Sequence, residues 1–265
     1  QCPYCSANLT KRRLQRILNS VYDPLIGESL QTVKQVPVLL NYSAQGFRVR
    51  QDKKPDEYDQ KLLKKVNDWD IPYWFPTDRM SDGKETRRND PIGLTHVHHY
   101  FFKRELAMIA GFLSKASSSP QSRLLKLALT SLVMYSSKLS RWRTANKSGP
   151  LAGTLYVSST LMPLMAMTIF PNRIKRLAQG KKSLIHLNGD NYICSTGSAT
   201  SVNLISNSMD YIFLDPPFGA NLNYSELSFL WESWLKVWTH AQLEAIENSS
   251  QKKGLSEYRD LMEKC

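Results

Sequence analysis

The chain has 265 residues, 42% of them apolar and 22% charged, and a formal net charge of +12. It is long enough to bury a core without disulfide staples, and its composition excludes wholesale disorder. No run approaches the ~20 apolar residues of a membrane span, and no secretory signal is visible, so a cytoplasmic location is expected.

The charge is unevenly placed. Residues 1–182 hold 30 of the 35 Lys and Arg and 13 of the 23 Asp and Glu, a balance of +17, against −5 for residues 183–265. Such a split fits a basic portion facing a polyanion joined to a portion built for something else, although basic surfaces also serve solubility alone.

Taken in order, the chain opens at Gln1 within a CPYC motif, which reads as the start of a fragment of a longer protein. Cys2 and Cys5 have the spacing of one zinc knuckle, half of a tetrahedral site, with the other pair expected upstream. Residues 9–20 read as a short basic helix on Leu14, Ile17 and Leu18. Residues 33–50 read as a hairpin turning at SAQG. A helix is expected over 56–67, with Tyr58, Leu62, Leu63 and Val66 on one side. Residues 69–92 form a long loop whose RMSDGKETRRND part is either a mobile segment facing phosphates or a solvated loop. Beyond it, His96, His98 and His99 form the clustered histidines, and strand spacing would put His96 and His98 on one face.

Two helices follow over 102–117 and 120–139. The first carries Leu106, Ile109, Ala110 and Leu113, the second Leu124, Leu127, Leu132 and Met134. Arg141, Trp142, Arg143 and Lys147 make a basic run around an indole, able to hold a backbone and stack a base, or simply a solvated loop. Residues 153–159 read as a strand, and 160–178 as a Met-rich helix with an irregularity at Pro171. The three sections expected are 1–50, 51–182 and 183–265.

The last section changes character. LIHLN (184–188) and MDYIFL (209–214) read as buried parallel strands, each ending in an acidic loop. After the second comes DPPF, Asp215 to Phe218, and then a helix that Asn223 can cap with Glu226 three residues on. A carboxylate at a strand end can accept a hydrogen bond from an exocyclic amino group. Pro216 and Pro217 stiffen the loop and can aim the Pro216 carbonyl at the same group, and Phe218 offers a face for a base.

On these residues the sequence resembles the S-adenosylmethionine-dependent DNA amino methyltransferases with a (D/N/S)PP(Y/F) motif. The resemblance is specific over 184–239. It is looser over the whole chain, where it extends to large bacterial DNA methylases with a zinc-ribbon insertion. It implies an α/β fold, a partial Rossmann-like class I methyltransferase sheet preceded by a mainly helical basic region. It implies S-adenosylmethionine as cofactor, with Gly189, Asp190 and Asn191 at the cofactor strand end and Asp190 meeting the adenine ring. Catalytic roles pass to Asp215, Pro216, Pro217 and Phe218. DNA is the implied partner and adenine the implied target, with cytosine as the nearest alternative. A nucleic-acid-binding module without catalysis is the rival from another class. The family's glycine-rich cofactor loop and closing strands are not found in the sequence, so the isolated chain is expected to be inactive.

Overall fold

The computed structural model describes all residues except 1–3, 11–13, 47, 144–148 and 185–193. The chain divides into two compact units, residues 1–70 with 90–94, and residues 71–89 with 95–265.

The first unit is built on hairpins. Strand β1, Leu18–Asp23, pairs antiparallel with β2, Glu28–Val33, in a register from Leu18 opposite Val33 to Asp23 opposite Glu28. The connection is made by Asp23, whose Oδ1 accepts the Leu25 amide at 2.9 Å, and by Gly27 at φ +71, whose amide returns to the Asp23 carbonyl. This turn chemistry overrides the helix expected over 9–20: three apolar residues suggested a helical face, but Asp-Pro-Leu-Ile-Gly closes a hairpin through Leu18. The second hairpin is found where expected, but its strands are short. β3, Leu40–Tyr42, pairs with β4, Gln51–Lys53, which lies past the predicted FRVR strand.

Helix α1, Glu57–Asp68, begins at an Asp56 capping box closed by Asp59, and Lys53 bridges both carboxylates at 3.1 and 2.8 Å. None of its residues is buried, so the predicted apolar stripe stays at the surface. Gly93 lies against β2. Its φ is +79, and a Cβ there would come within 2.5 Å of the Gln31 carbonyl.

The second unit is helical. α2, Lys103–Ser117, buries Leu106, Ile109, Ala110 and Leu113, the stripe its periodicity predicts. α3, Ser122–Tyr135, packs on α2 but turns a different face inward: Ala128, Leu129, Leu132 and Val133 are buried, while Leu124 and Leu127 are exposed. α4, Ala166–Ser183, packs on α3. It starts later than expected, contains Pro171, and buries only Ala166. α5, Tyr224–Leu235, also packs on α3, through Leu230 and Trp234. α6, Leu255–Lys264, closes the chain. Trp234 is 1% exposed and meets Phe101 and Trp74 edge-on at 5.7 and 6.4 Å.

Two loops carry much of the buried polar chemistry. Residues 153–159 are not a strand. Leu155 and Val157 are buried, and side chains replace the ladder: the Leu155 amide donates to Glu85 at 2.9 Å, and Asn89 donates to the Leu155 carbonyl at 2.7 Å. Burial works to raise the Glu85 carboxyl, but the Thr154 hydroxyl, Arg88 and the Leu155 amide hold it below its ordinary value. The segment 79–90 is therefore no mobile phosphate loop. Gly83, Glu85, Thr86 and Asn89 are buried, and Arg87 and Arg88 pair with Asp82 and Glu85.

The expected Rossmann-like sheet is not among the described elements. Both sheets present have two antiparallel strands. Residues 209–214 run extended without a ladder partner among the described residues, and Tyr211 and Phe213 are 81% and 77% exposed. A strand is buried only when neighbours take its backbone groups and a layer covers its sides, and neither surrounds this segment. Most of the companion run, 185–188, lies outside the described residues. No described helix is long and apolar enough to cross a membrane.

Candidate active site at residues 215 to 226

The DPPF loop is open at its tip and tied at its base. Asp215 and Pro216 are exposed, Pro217 is half-buried, and the Phe218 ring is 70% exposed. Among the described residues, no group bonds to the Asp215 carboxylate or the Pro216 carbonyl. The Pro217 carbonyl is taken by the Tyr258 hydroxyl at 2.9 Å, which anchors the loop to α6. A tight turn follows, with the Asn221 amide on the Phe218 carbonyl at 3.0 Å. Gly219 sits at φ +51, and its carbonyl accepts the Glu247 amide at 3.1 Å. The sequence singles out Asp215 to Phe218 but not Tyr258, which lies 41 residues beyond its acceptor with no motif to mark it.

The start of α5 differs from the expected capping box. The Asn223 side chain caps nothing in the helix; its Oδ1 accepts from Asn248 at 3.4 Å. The helix amide and hydroxyl of Ser225 go instead to Glu244, at 2.9 and 2.6 Å. Glu226 is thereby released to turn inward. At 2% exposure its Oε2 accepts the Glu85 amide at 2.7 Å and the Thr86 amide at 3.2 Å, and its Oε1 accepts Asn248 at 2.8 Å. The carboxylate fills the space beside Gly83, where a Cβ would lie 2.2 Å from it. A negative group in the first helical turn also suits the positive end of the helix dipole. Glu226 thus fastens the helix behind DPPF to the 83–86 loop, with Asn248 closing the other side.

The remaining predicted residues are not gathered here. Gly189, Asp190, Asn191 and Cys2 lie outside the described residues, and Cys5 is an exposed free thiol. His96, His98 and His99 do cluster, with ring centroids 4.1–5.8 Å apart, but on a 3-10 turn, Val97–Tyr100, rather than a strand. The His99 Nδ1 accepts the amides of Thr95 and His96 at 3.2 Å, so that nitrogen carries no proton.

Two shifted ionisable groups lie away from the loop. Burial lowers the Lys138 ammonium to about 8, against the opposing pull of Glu105, and burial likewise pushes the Glu105 carboxyl up. Lys138 donates to the His99 carbonyl at 2.8 Å, and Glu105 pairs with Arg104.

Comparison of this chain with protein-family models, curated proteins and solved structures finds no match.

Proposed function

We propose that this chain carries the target-base loop of an S-adenosylmethionine-dependent DNA amino methyltransferase, with adenine as the target and the Rossmann-like sheet as its fold. The observation that supports this best is the division of the DPPF loop. The Pro217 and Gly219 carbonyls are held by Tyr258 and Glu247, while the Asp215 carboxylate and the Phe218 face stand open. In this reading Phe218 stacks the flipped base, and Asp215 and the Pro216 carbonyl each accept one hydrogen of its amino group. Two acceptors on one nitrogen orient it and would favour the positive charge it gains as the N–C bond forms and the methyl–sulfur bond of the sulfonium breaks, its electron pair staying on sulfur. Its surplus proton then passes to water. S-adenosylmethionine would supply the methyl group, and the residues assigned to it by resemblance lie outside those described.

The basic portion supplies the affinity for DNA. α4 carries Arg173, Lys175, Arg176, Lys181 and Lys182 with no acidic residue, and all but Arg173 are exposed. The same helix favours the second reading, nucleic-acid binding without catalysis.

Methyl transfer from labelled cofactor to DNA, measured on the complete gene product, separates the two. Asp215→Ala is expected to lower turnover by roughly 10²–10³, the size typical of a lost transition-state hydrogen-bond partner. Turnover unchanged by Asp215→Ala would overturn the mechanism. DNA binding with no transfer in the parent protein would favour the binding module.

A further inference from the structure

A cleft of about 330 Å³ opens in the second unit where the C-terminal end of α5 meets α2 and α3. Its volume lies at the lower end of the range for small-molecule sites, roughly 300–1,000 Å³. Trp74 and Trp234, with Leu113 and Leu235, supply its apolar lining, and Lys126, Lys236, Ser114 and Ser117 its polar lining. No carboxylate lines it. Among the described residues, neither lysine has an acidic partner.

Two details point to a ligand. The Lys236 ammonium lies 4.0 Å from the centre of the Trp74 ring, so the cation caps the indole face in the absence of a better partner. Lys236 is also held at φ +57, ψ +37, the left-handed conformation a lysine seldom adopts, by its amide bonds to the carbonyls of Glu232 and Ser233. The backbone thus fixes where this side chain starts, while its ammonium is free of any salt bridge among the described residues.

The surroundings define the ligand chemistry: two uncompensated cations and two serines for an anion, and an indole face for a flat ring. We infer that the cleft binds a nucleotide unit, its phosphate between Lys126 and Lys236 and its base against Trp74. Lys236 leaves the ring face for the phosphate as the base takes its place. α5 is twelve residues long, about 18 Å, with the cleft at its C-terminal end and the DPPF loop ahead of its first turn beyond residues 219–223. The source of the nucleotide as a flanking position on DNA rests on the function proposed above; the chemistry of the cleft does not.

Calorimetry with the complete chain tests the inference, using deoxyadenosine, deoxyadenosine 5′-monophosphate and a single-stranded deoxyadenosine decamer. Binding of the monophosphate or the decamer, but not of the nucleoside, is expected. Lys126→Gln with Lys236→Gln should weaken it at least tenfold. For the decamer the double variant should also flatten the log–log salt slope by about 0.7, as for one phosphate contact on a single strand. Trp74→Leu should weaken binding with the slope unchanged. All these changes are at the surface or half-buried, and circular dichroism verifies folding. The cleft shares no residue with the DPPF loop, so a failed methyl-transfer assay leaves the cleft inference standing. Equal affinity for monophosphate and decamer supports a free nucleotide as ligand, and binding of the decamer alone supports a strand. Nucleoside bound as well as nucleotide, no binding of either phosphorylated ligand, or affinity unaffected by the lysine pair would each overturn the inference.

Discussion

The Oε2 atom of Glu226 accepts the backbone amide of Glu85 at 2.7 Å, across 141 residues of chain. One carboxylate thereby joins the first turn of α5 to the loop that also holds Leu155 through the Glu85 side chain. Removing it leaves the amides of Glu85 and Thr86 buried without an acceptor. Glu226→Leu is therefore expected to cost about 1–3 kcal/mol for each amide, and Glu226→Gln, whose one carbonyl oxygen can still accept both amides, only about 0.5–1.5 kcal/mol for the lost bond from Asn248. Gly83→Ala should destabilise by about 1–3 kcal/mol through the overlap of its Cβ with the same carboxylate. Denaturant titration measures all three. An unchanged midpoint for Glu226→Leu would show that the network contributes nothing.

Tyr258 holds the DPPF loop through its hydroxyl alone. Tyr258→Phe keeps the ring and removes the bond, at about 0.5–1.5 kcal/mol of stability. Hydrogen exchange at Phe218 and Gly219 should accelerate while exchange in α2 and α3 does not. In the methyl-transfer assay Tyr258→Phe should lower turnover more than it raises the KM for DNA, because it loosens the acceptors rather than the base-binding face. An exchange pattern identical to the parent would remove Tyr258 from any positioning role.

The lowered pKa of Lys138 has a pH signature. Burial brings it from 10.5 to about 8, so between those values the folded chain has lost a proton that the unfolded chain still holds. The lysine's penalty is full below pH 8 and is relieved as pH rises through 8 toward 10.5, by at most about 3 kcal/mol. The parent should therefore gain stability relative to Lys138→Met between pH 7.5 and 10. Denaturation midpoints of the two proteins moving in parallel over that range would contradict it.

The α4 helix predicts a salt dependence. Lys175, Arg176, Lys181 and Lys182 are exposed. If all four meet phosphates of a duplex, their replacement by Gln should reduce the log–log salt slope by about 3.6. Fluorescence anisotropy at several salt concentrations reads this directly. An unaltered slope would place the DNA contact elsewhere in the basic portion.

The local features of this protein were legible where one residue type at one spacing sufficed. The spacing of Tyr58, Leu62, Leu63 and Val66 announced α1, and Leu106, Ile109, Ala110 and Leu113 announced the buried face of α2. The DPPF loop, with its exposed acid and aromatic ring, stood out for the same reason. What tertiary structure decided is the use of polar side chains at long range. Asn223 and Glu226 have the spacing of a capping box, yet Glu244 takes the helix amide and Glu226 takes Glu85, because a buried carboxylate surrounded by free amides is worth more than a solvated cap. The segment 79–90 carries the composition of a solvated loop yet buries Gly83, Glu85, Thr86 and Asn89, since Glu85 and Asn89 satisfy the backbone groups of Leu155 that no strand reaches. MDYIFL has the composition of a buried strand and is exposed. A strand's burial depends on the neighbour beside it, and composition carries no record of that neighbour.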